Sequence, residues 1–455
     1  MIKLKNIKNQ KINQILLLQT LFYTFPLSFI LGNLILSVHS LLFLILSLFV
    51  IFQKKLSIRF DKSCWLLIFF FSYFFISTTI QFQSPGLLNE KIQGWPLENN
   101  PIFKSFILFR FLILIFVIDT LYYNKILTFK NLFLISLICT SFVCIDVIVQ
   151  YVTGSDFFGY KSQGNRYSGP FGSELIAGSY LLKFSFFSIF YVFGIVKLKK
   201  YKNSILLLTI SLHAIAILLA GNRMPIILFL FGCFLIILFI KNIRLVMSLG
   251  VSLLIITFLV LSNFDEGLKN NYNALLGDTL INKIIKLENS ETEKKSEWKE
   301  GEKRPGYLGS GYRGIYETSY KMWKEQPIIG FGLKSFRIKC WDVLEKKKKG
   351  DRCCCSTHPH NYYLEMLDEG GVVGTVLMLL FFAMLLRYSL EYIKKCNKQN
   401  FFQIALMVPI ILEIFLEIWP VRSSGSFFTT WNANFFWMVV AMLIAAKSKK
   451  FSSLQ

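Results

Sequence analysis

Charge is scarce in this chain. Only 17% of its 455 residues are Asp, Glu, Lys or Arg, less than a soluble protein of that length carries. Acidic residues are the scarcer sign, 27 against 50 Lys and Arg, which leaves a formal net charge of +23. The sequence has no nucleotide-binding glycine loop and no internal repeat, so the nucleotide-driven and solenoid classes are set aside. No small-residue cleavage site follows Leu31. The basic start, with Lys3, Lys5, Lys8 and Lys11, therefore reads as the cytoplasmic flank of a first membrane helix and not as a signal peptide.

Apolar length takes the place of charge. The chain is 54% hydrophobic and 16% aromatic, with mean hydropathy +0.51. Its apolar residues come in long blocks, and a bilayer core asks for roughly 20 of them per spanning helix. Candidate spans are Ile15–Leu31, Leu34–Phe52, Cys64–Phe82, Phe103–Tyr122, Leu132–Tyr151 and Leu175–Val196. They continue with Ile205–Ala220, Met224–Ile240, Leu245–Leu261, Val372–Leu386, Phe401–Trp419 and Phe427–Ala446. The expected fold is thus all-α and polytopic, with about twelve spans. Residues 1–261 form an N-terminal bundle, 262–371 a large partly helical loop, and 372–455 a C-terminal bundle.

The net charge would suit nucleic acid, but much of the Lys and Arg sits in short loops beside apolar blocks. Lys54, Lys55, Arg59 and Lys62 share one connection, Lys197, Lys199, Lys200 and Lys202 another, and Lys447, Lys449 and Lys450 the tail. Basic residues so placed mark cytoplasmic loops at an anionic leaflet. Membrane lipids, and no nucleic acid, are the partners this implies, with both termini cytoplasmic. The opposite side, periplasmic in a bacterial inner membrane, receives the long loop. Long loops cross largely regardless of charge, so its lysines are no objection. Within it, Glu288–Lys303 is charged and almost free of apolar residues, an insertion without chemistry.

Four features on that outer side carry possible chemistry: His360, followed by Asn361, Gly371 and Gly374; Arg313, at the start of an amphipathic stretch ending near Gln326; Arg223, at the mouth of two helices; and Arg166. Guanidinium forks bind phosphate oxygens in bidentate fashion, so arginines gathered there suit a diphosphate. A neutral histidine beside them takes a proton from a hydroxyl at physiological pH. Each residue also has an ordinary structural reading. Arg223 can satisfy helix-end carbonyls, Arg313 can pair with Glu317 one turn on, Arg166 can fix its loop, and His360 can cap the helix that follows.

The run His360-Asn361, nine residues, Gly371, two residues, Gly374 resembles the histidine motif of the O-antigen ligase family. So does the stretch from Arg313 through Gln326-Pro327 to Gly330-Phe331-Gly332 and Phe336. Arg223 resembles the family's Arg-x-x-x-Leu motif, with Ile227 where Leu is usual, and Tyr316 replaces the usual tryptophan. The resemblance implies a membrane glycosyltransferase of the C type. Its donor is a glycan on undecaprenyl diphosphate, entering sideways between helices, and its acceptor a sugar hydroxyl of the lipid A core. It makes His360 the base, and gives Arg223 and Arg313, with Arg166 as helper, the diphosphate. No cofactor is called for.

Related readings stay open. A polymerase or a protein oligosaccharyltransferase belongs to the same superfamily; polymerases carry Arg, ten residues, Gly, whereas Ala177 and Lys324 stand at those positions here. A transporter would place ionisable groups in the membrane, and Arg110, Asp119, Lys183, Glu413 and Glu417 are the ones available. Cys340, Cys353, Cys354 and Cys355 share one loop in an oxidising compartment, which favours one or two disulfides. Zinc held by these thiols with His358 and His360 is disfavoured, because adjacent cysteines lack the usual ligand spacing.

Overall fold

The computed structural model describes residues 2–83, 100–163, 165–194, 201–276, 311–346, 354–395 and 400–448. Glu288–Lys303, Cys353 and Cys396 lie outside these. Among the described residues the chain is helical, with isolated bridges Ser155–Lys161 and Gln163–Arg166 in place of any strand. Its helices are α1 Ile2–Tyr23, α2 Phe25–Ile30, α3 Asn33–Gln53, α4 Ser63–Gln83, α5 Pro101–Ile107 and α6 Arg110–Tyr123. Then come α7 Phe129–Thr153, α8 Ala177–Gly194, α9 Lys202–Leu219, α10 Arg223–Phe239, α11 Arg244–Phe264 and α12 Glu266–Leu276. The last are α13 Gly311–Glu325, α14 Phe336–Glu345, α15 Tyr362–Lys395, α16 Phe401–Glu417 and α17 Thr430–Ser448.

Each apolar run expected from sequence falls on helix, and among the described residues 8 helices are long and apolar enough to cross a membrane. Two runs are broken. The first divides at Thr24 between α1 and α2, where Pro26 removes a backbone donor. The fourth divides at Leu108 and Phe109 between α5 and α6. The expected tight connection at Gly221 is present, with Gly221 at φ 71 and Arg223 opening α10. Neither α12 nor α14 had been singled out in the sequence.

The bundle has the polarity a bilayer solvent demands. Leu34, Phe239 and Leu245 are each more than 70% exposed, while α17 and α8 are wrapped by other helices. Trp437 and Phe435 of α17 are buried among Phe71, Phe111, Phe381, Phe427 and Phe184, ring against ring. Such aromatic pairs add about 0.5–1.5 kcal/mol each beyond area alone. A second, smaller core joins α13 and α14 to the end of α4 through Phe82, Ile315, Met322, Phe331, Phe336, Ile338 and Val343. That core seats the segment 311–346 on the bundle.

Candidate functional site

The histidine loop is held from three sides. Asn361 starts α15, its Oδ1 accepting the peptide N–H groups of Tyr363 at 3.0 Å and Leu364 at 3.2 Å, as an N-cap does. Its amide donates to the carbonyls of Pro420 at 2.9 Å and Arg422 at 3.4 Å. One side chain thus begins the helix and ties it to the α16–α17 connection. From that connection the Ser424 N–H donates to the His360 carbonyl at 2.9 Å. On the third side, Cys355 is joined by a disulfide to Cys340 of α14.

Pinned in this way, His360 takes φ 59, a left-handed backbone uncommon for a non-glycine residue. Its Nε2 lies 3.2 Å from the Ser356 hydroxyl, and its ring packs edge-on against Tyr312 at 5.2 Å between centroids. The His358 ring is 4.1 Å away. Burial lowers the His360 pKa, with the Ser424 peptide working against it. Burial, then the charges of His360 and Lys334, push His358 down to about 3. Both rings are neutral at physiological pH, the form a general base requires.

Glycines account for the rest of the motif. Phe331 and Gly332 donate N–H bonds to the carbonyls of Asp368 and Glu369 at 3.1 and 2.8 Å. Val372 and Val373 donate back to Pro327 and Ile328 at 2.9 and 3.2 Å. Gly371, at φ 62 and ψ −166, kinks α15 to allow it. A Cβ on Gly371 would sit 2.3 Å from the Ile328 carbonyl oxygen, and one on Gly330 would sit 2.5 Å from the Glu369 backbone. The Tyr73 hydroxyl of α4 lies 2.6 Å from the Gly370 carbonyl and 3.0 Å from that of Ile329. Gly374 passes the rings of Tyr73 and Phe74 at 3.1 and 3.2 Å for a Cβ placed there.

The arginines fall into two groups. Arg223 donates from Nε to Asn271 Oδ1 at 3.3 Å, and Asn271 in turn donates to the Gly221 carbonyl at 2.9 Å. Gly221 also meets Arg166, whose Cγ would lie 3.0 Å from a Cβ there. Arg166 and Arg223 therefore converge on one connection. Arg313 is exposed on α13, next to the Tyr312 that packs on His360. It does not pair with Glu317, which takes Lys321 instead at 3.6 Å. No hydrogen bond among the described residues links an arginine to His360.

Beneath the loop lies a buried ionic cluster. Glu417 accepts from Lys183 and from Arg422 at 3.0 Å, and the Tyr362 hydroxyl donates to it at 3.3 Å. Lys183 also stands over the rings of Phe435 at 4.4 Å and Trp431 at 5.3 Å. Of the other ionisable groups noted in the sequence, Asp119 pairs with Arg59 at 3.6 Å. The Arg110 guanidinium lies over Phe111 at 4.8 Å. Arg422 and a second buried cation, Lys334, escaped the sequence reading. Arg422 lies in a short connection with no motif around it. Lys334, buried at φ 64, donates to the Ser426 hydroxyl at 2.6 Å; its place between Gly332 and Phe336 was the available signal.

Comparison with known proteins finds a family likeness in the central part of the chain. The model of the O-antigen ligase family matches residues 205–379, a stretch holding Arg223, Arg313 and the whole histidine motif. Arg166 and the α16–α17 connection lie outside it. No curated protein matches the chain. Among solved structures, a chain reported under "Structural coordination of polymerization and crosslinking by a peptidoglycan synthase complex" is similar at 14% identity and TM-score 0.39, covering 85% of this chain and 98% of that one.

Proposed function

We propose that this chain, whose residues 205–379 match the O-antigen ligase family, moves a glycan from undecaprenyl diphosphate to a sugar hydroxyl of the lipid A core. In this reading about twelve helices span the inner membrane, both termini are cytoplasmic, and the His360 end faces the periplasm. The observation that carries it is the neutral His360, pinned in a left-handed backbone by Asn361, Ser424 and the Cys340–Cys355 disulfide.

The mechanism follows from the groups present. The acceptor hydroxyl lies at His360 and gives it a proton as its oxygen attacks the anomeric carbon. The bond from that carbon to the diphosphate oxygen breaks, and the diphosphate leaves with the electron pair. Arg223, with Arg166 beside it, and Arg313 neutralise the charge that develops there. General-base help of this kind is typically worth about 10²–10⁴ in rate. Asn361, Gly371 and Gly374 position the base and touch no substrate.

The test is reconstitution of the purified protein with undecaprenyl-diphosphate glycan and lipid A core, comparing His360→Ala with His358→Ala. The expected result is transfer by the wild type and by His358→Ala, and loss of it in His360→Ala. Chain growth on the donor without transfer to lipid would make the protein a polymerase, and full activity in His360→Ala would remove His360 from the chemistry.

A further inference from the structure

At the end of the bundle that holds His360, a cleft of about 300 Å³ opens between the α2–α3 turn, the loop before α8 and the first turn of α17. Its position relative to the histidine is fixed by chain connectivity. Trp431, on its wall, follows the connection whose Ser424 holds the His360 carbonyl. From Trp431 the contacts run through Lys183 and Glu417 to Tyr362, two residues beyond His360.

Among the described residues four aromatic rings line the cleft: Phe29, Tyr160, Phe171 and Trp431. Tyr160 is 53% exposed, yet its place is set. Its N–H is held by Asp156 Oδ1 at 2.7 Å, and its carbonyl by the Asp156 N–H and the Gln150 amide, each at 3.0 Å. Its ring lies flat on Gly172, at φ 61, where a Cβ would come within 3.3–3.5 Å of three ring carbons. Around the rings stand the side chains of Asn33, Ser173 and Glu174. None of the three makes a hydrogen bond among the described residues, so an amide, a hydroxyl and a carboxylate are open to a ligand.

We infer that this cleft is a carbohydrate subsite, in which one pyranose ring of the acceptor glycan stacks on Tyr160 or Trp431 and its hydroxyls meet Asn33, Ser173 and Glu174. The two faces of a sugar ring present C–H groups while its rim presents hydroxyls, the combination the cleft offers in complement. Among the described residues no lysine or arginine lines it, and Glu174 repels anions, which argues against a phosphate headgroup. An acyl chain would leave the amide and the carboxylate without partners. The inference rests on the glycosyltransferase reading for the identity of the glycan, but not for binding itself.

The experiment is saturation-transfer NMR on the full chain in lipid nanodiscs, with the methyl glycosides of glucose, galactose and N-acetylglucosamine as probes. At least one is expected to show saturation of its ring protons. Tyr160→Ala should weaken that binding by about fivefold or more, and Glu174→Gln should weaken it too. No saturation of any probe by the wild type, or equal saturation in Tyr160→Ala and Trp431→Phe, overturns the subsite. Glycan transfer measured on the same samples separates the two proposals. Sugar binding without transfer leaves the subsite standing and removes the ligase, and transfer with an unchanged acceptor KM in Tyr160→Ala does the reverse.

Discussion

Replacing Gly371 by alanine tests whether the motif glycines act through backbone packing. At φ 62 and ψ −166 the residue lies where almost only glycine is found, which costs an alanine about 1–3 kcal/mol. The added Cβ would also stand 2.3 Å from the Ile328 oxygen and 2.6 Å from the Gly330 nitrogen. These are backbone atoms that cannot swing aside. Relief means pulling the two segments apart, and with them the bonds from Val372 and Val373, about 0.5–1.5 kcal/mol each. The expected cost is therefore about 2–6 kcal/mol. Gly154→Ala is the control: φ is positive there too, at 83, but nothing lies within 4 Å, so about 1 kcal/mol is expected. Thermal unfolding in detergent, followed by tryptophan fluorescence, should rank wild type above Gly154→Ala and both well above Gly371→Ala. Transfer should collapse only in the last, because α15 carries His360 at its head. Equal melting of the two variants, with full transfer, would refute the interlock.

Glu417→Gln leaves Lys183 and Arg422 buried without their counter-ion and should cost about 3–5 kcal/mol; if the loss is uncompensated charge, Lys183→Met in the same chain recovers part of it, as a thermal scan would show. Cys340→Ser opens a link across a separation of 15 residues, worth about 3 kcal/mol; in it, melting should fall and reductant should lose its effect on transfer. Acid should act through the histidines. His358 has a folded pKa of about 3 against an ordinary 6.5, so as pH falls the unfolded chain takes up the proton first. Its stabilisation is full above 6.5 and drains away between 6.5 and about 3. The melting temperature should drop across that window, less steeply in His358→Asn. Transfer should fail on the acid side as well, since protonated His360 cannot act as base.

Much of the helical layout was legible because the bilayer imposes one rule on every span, and long apolar blocks obey it visibly. The breaks at Thr24 and Leu108 were not, since they depend on local backbone within runs that stay apolar throughout. Around the site, His360, Asn361 and the glycines could be read from their spacing. What spacing could not convey is that Gly330 and Gly371 face each other, nor that Lys183 and Glu417, 234 residues apart, are mutual partners and not two loose charges. Arg422 was invisible for the same reason: a lone arginine in a short connection acquires meaning only from the carboxylate beside it.

The bonds that hold the histidine loop reach in both directions along the chain. Tyr73 arrives from 297 residues before the glycine it braces, and Pro420 stands 59 residues beyond the asparagine that seeks it. A growing chain that has reached His360 has not yet made the connection that fixes it. The pinned loop is thus completed only when the α16–α17 connection has been made, so under the proposed function a partly synthesised chain would lack its positioned base.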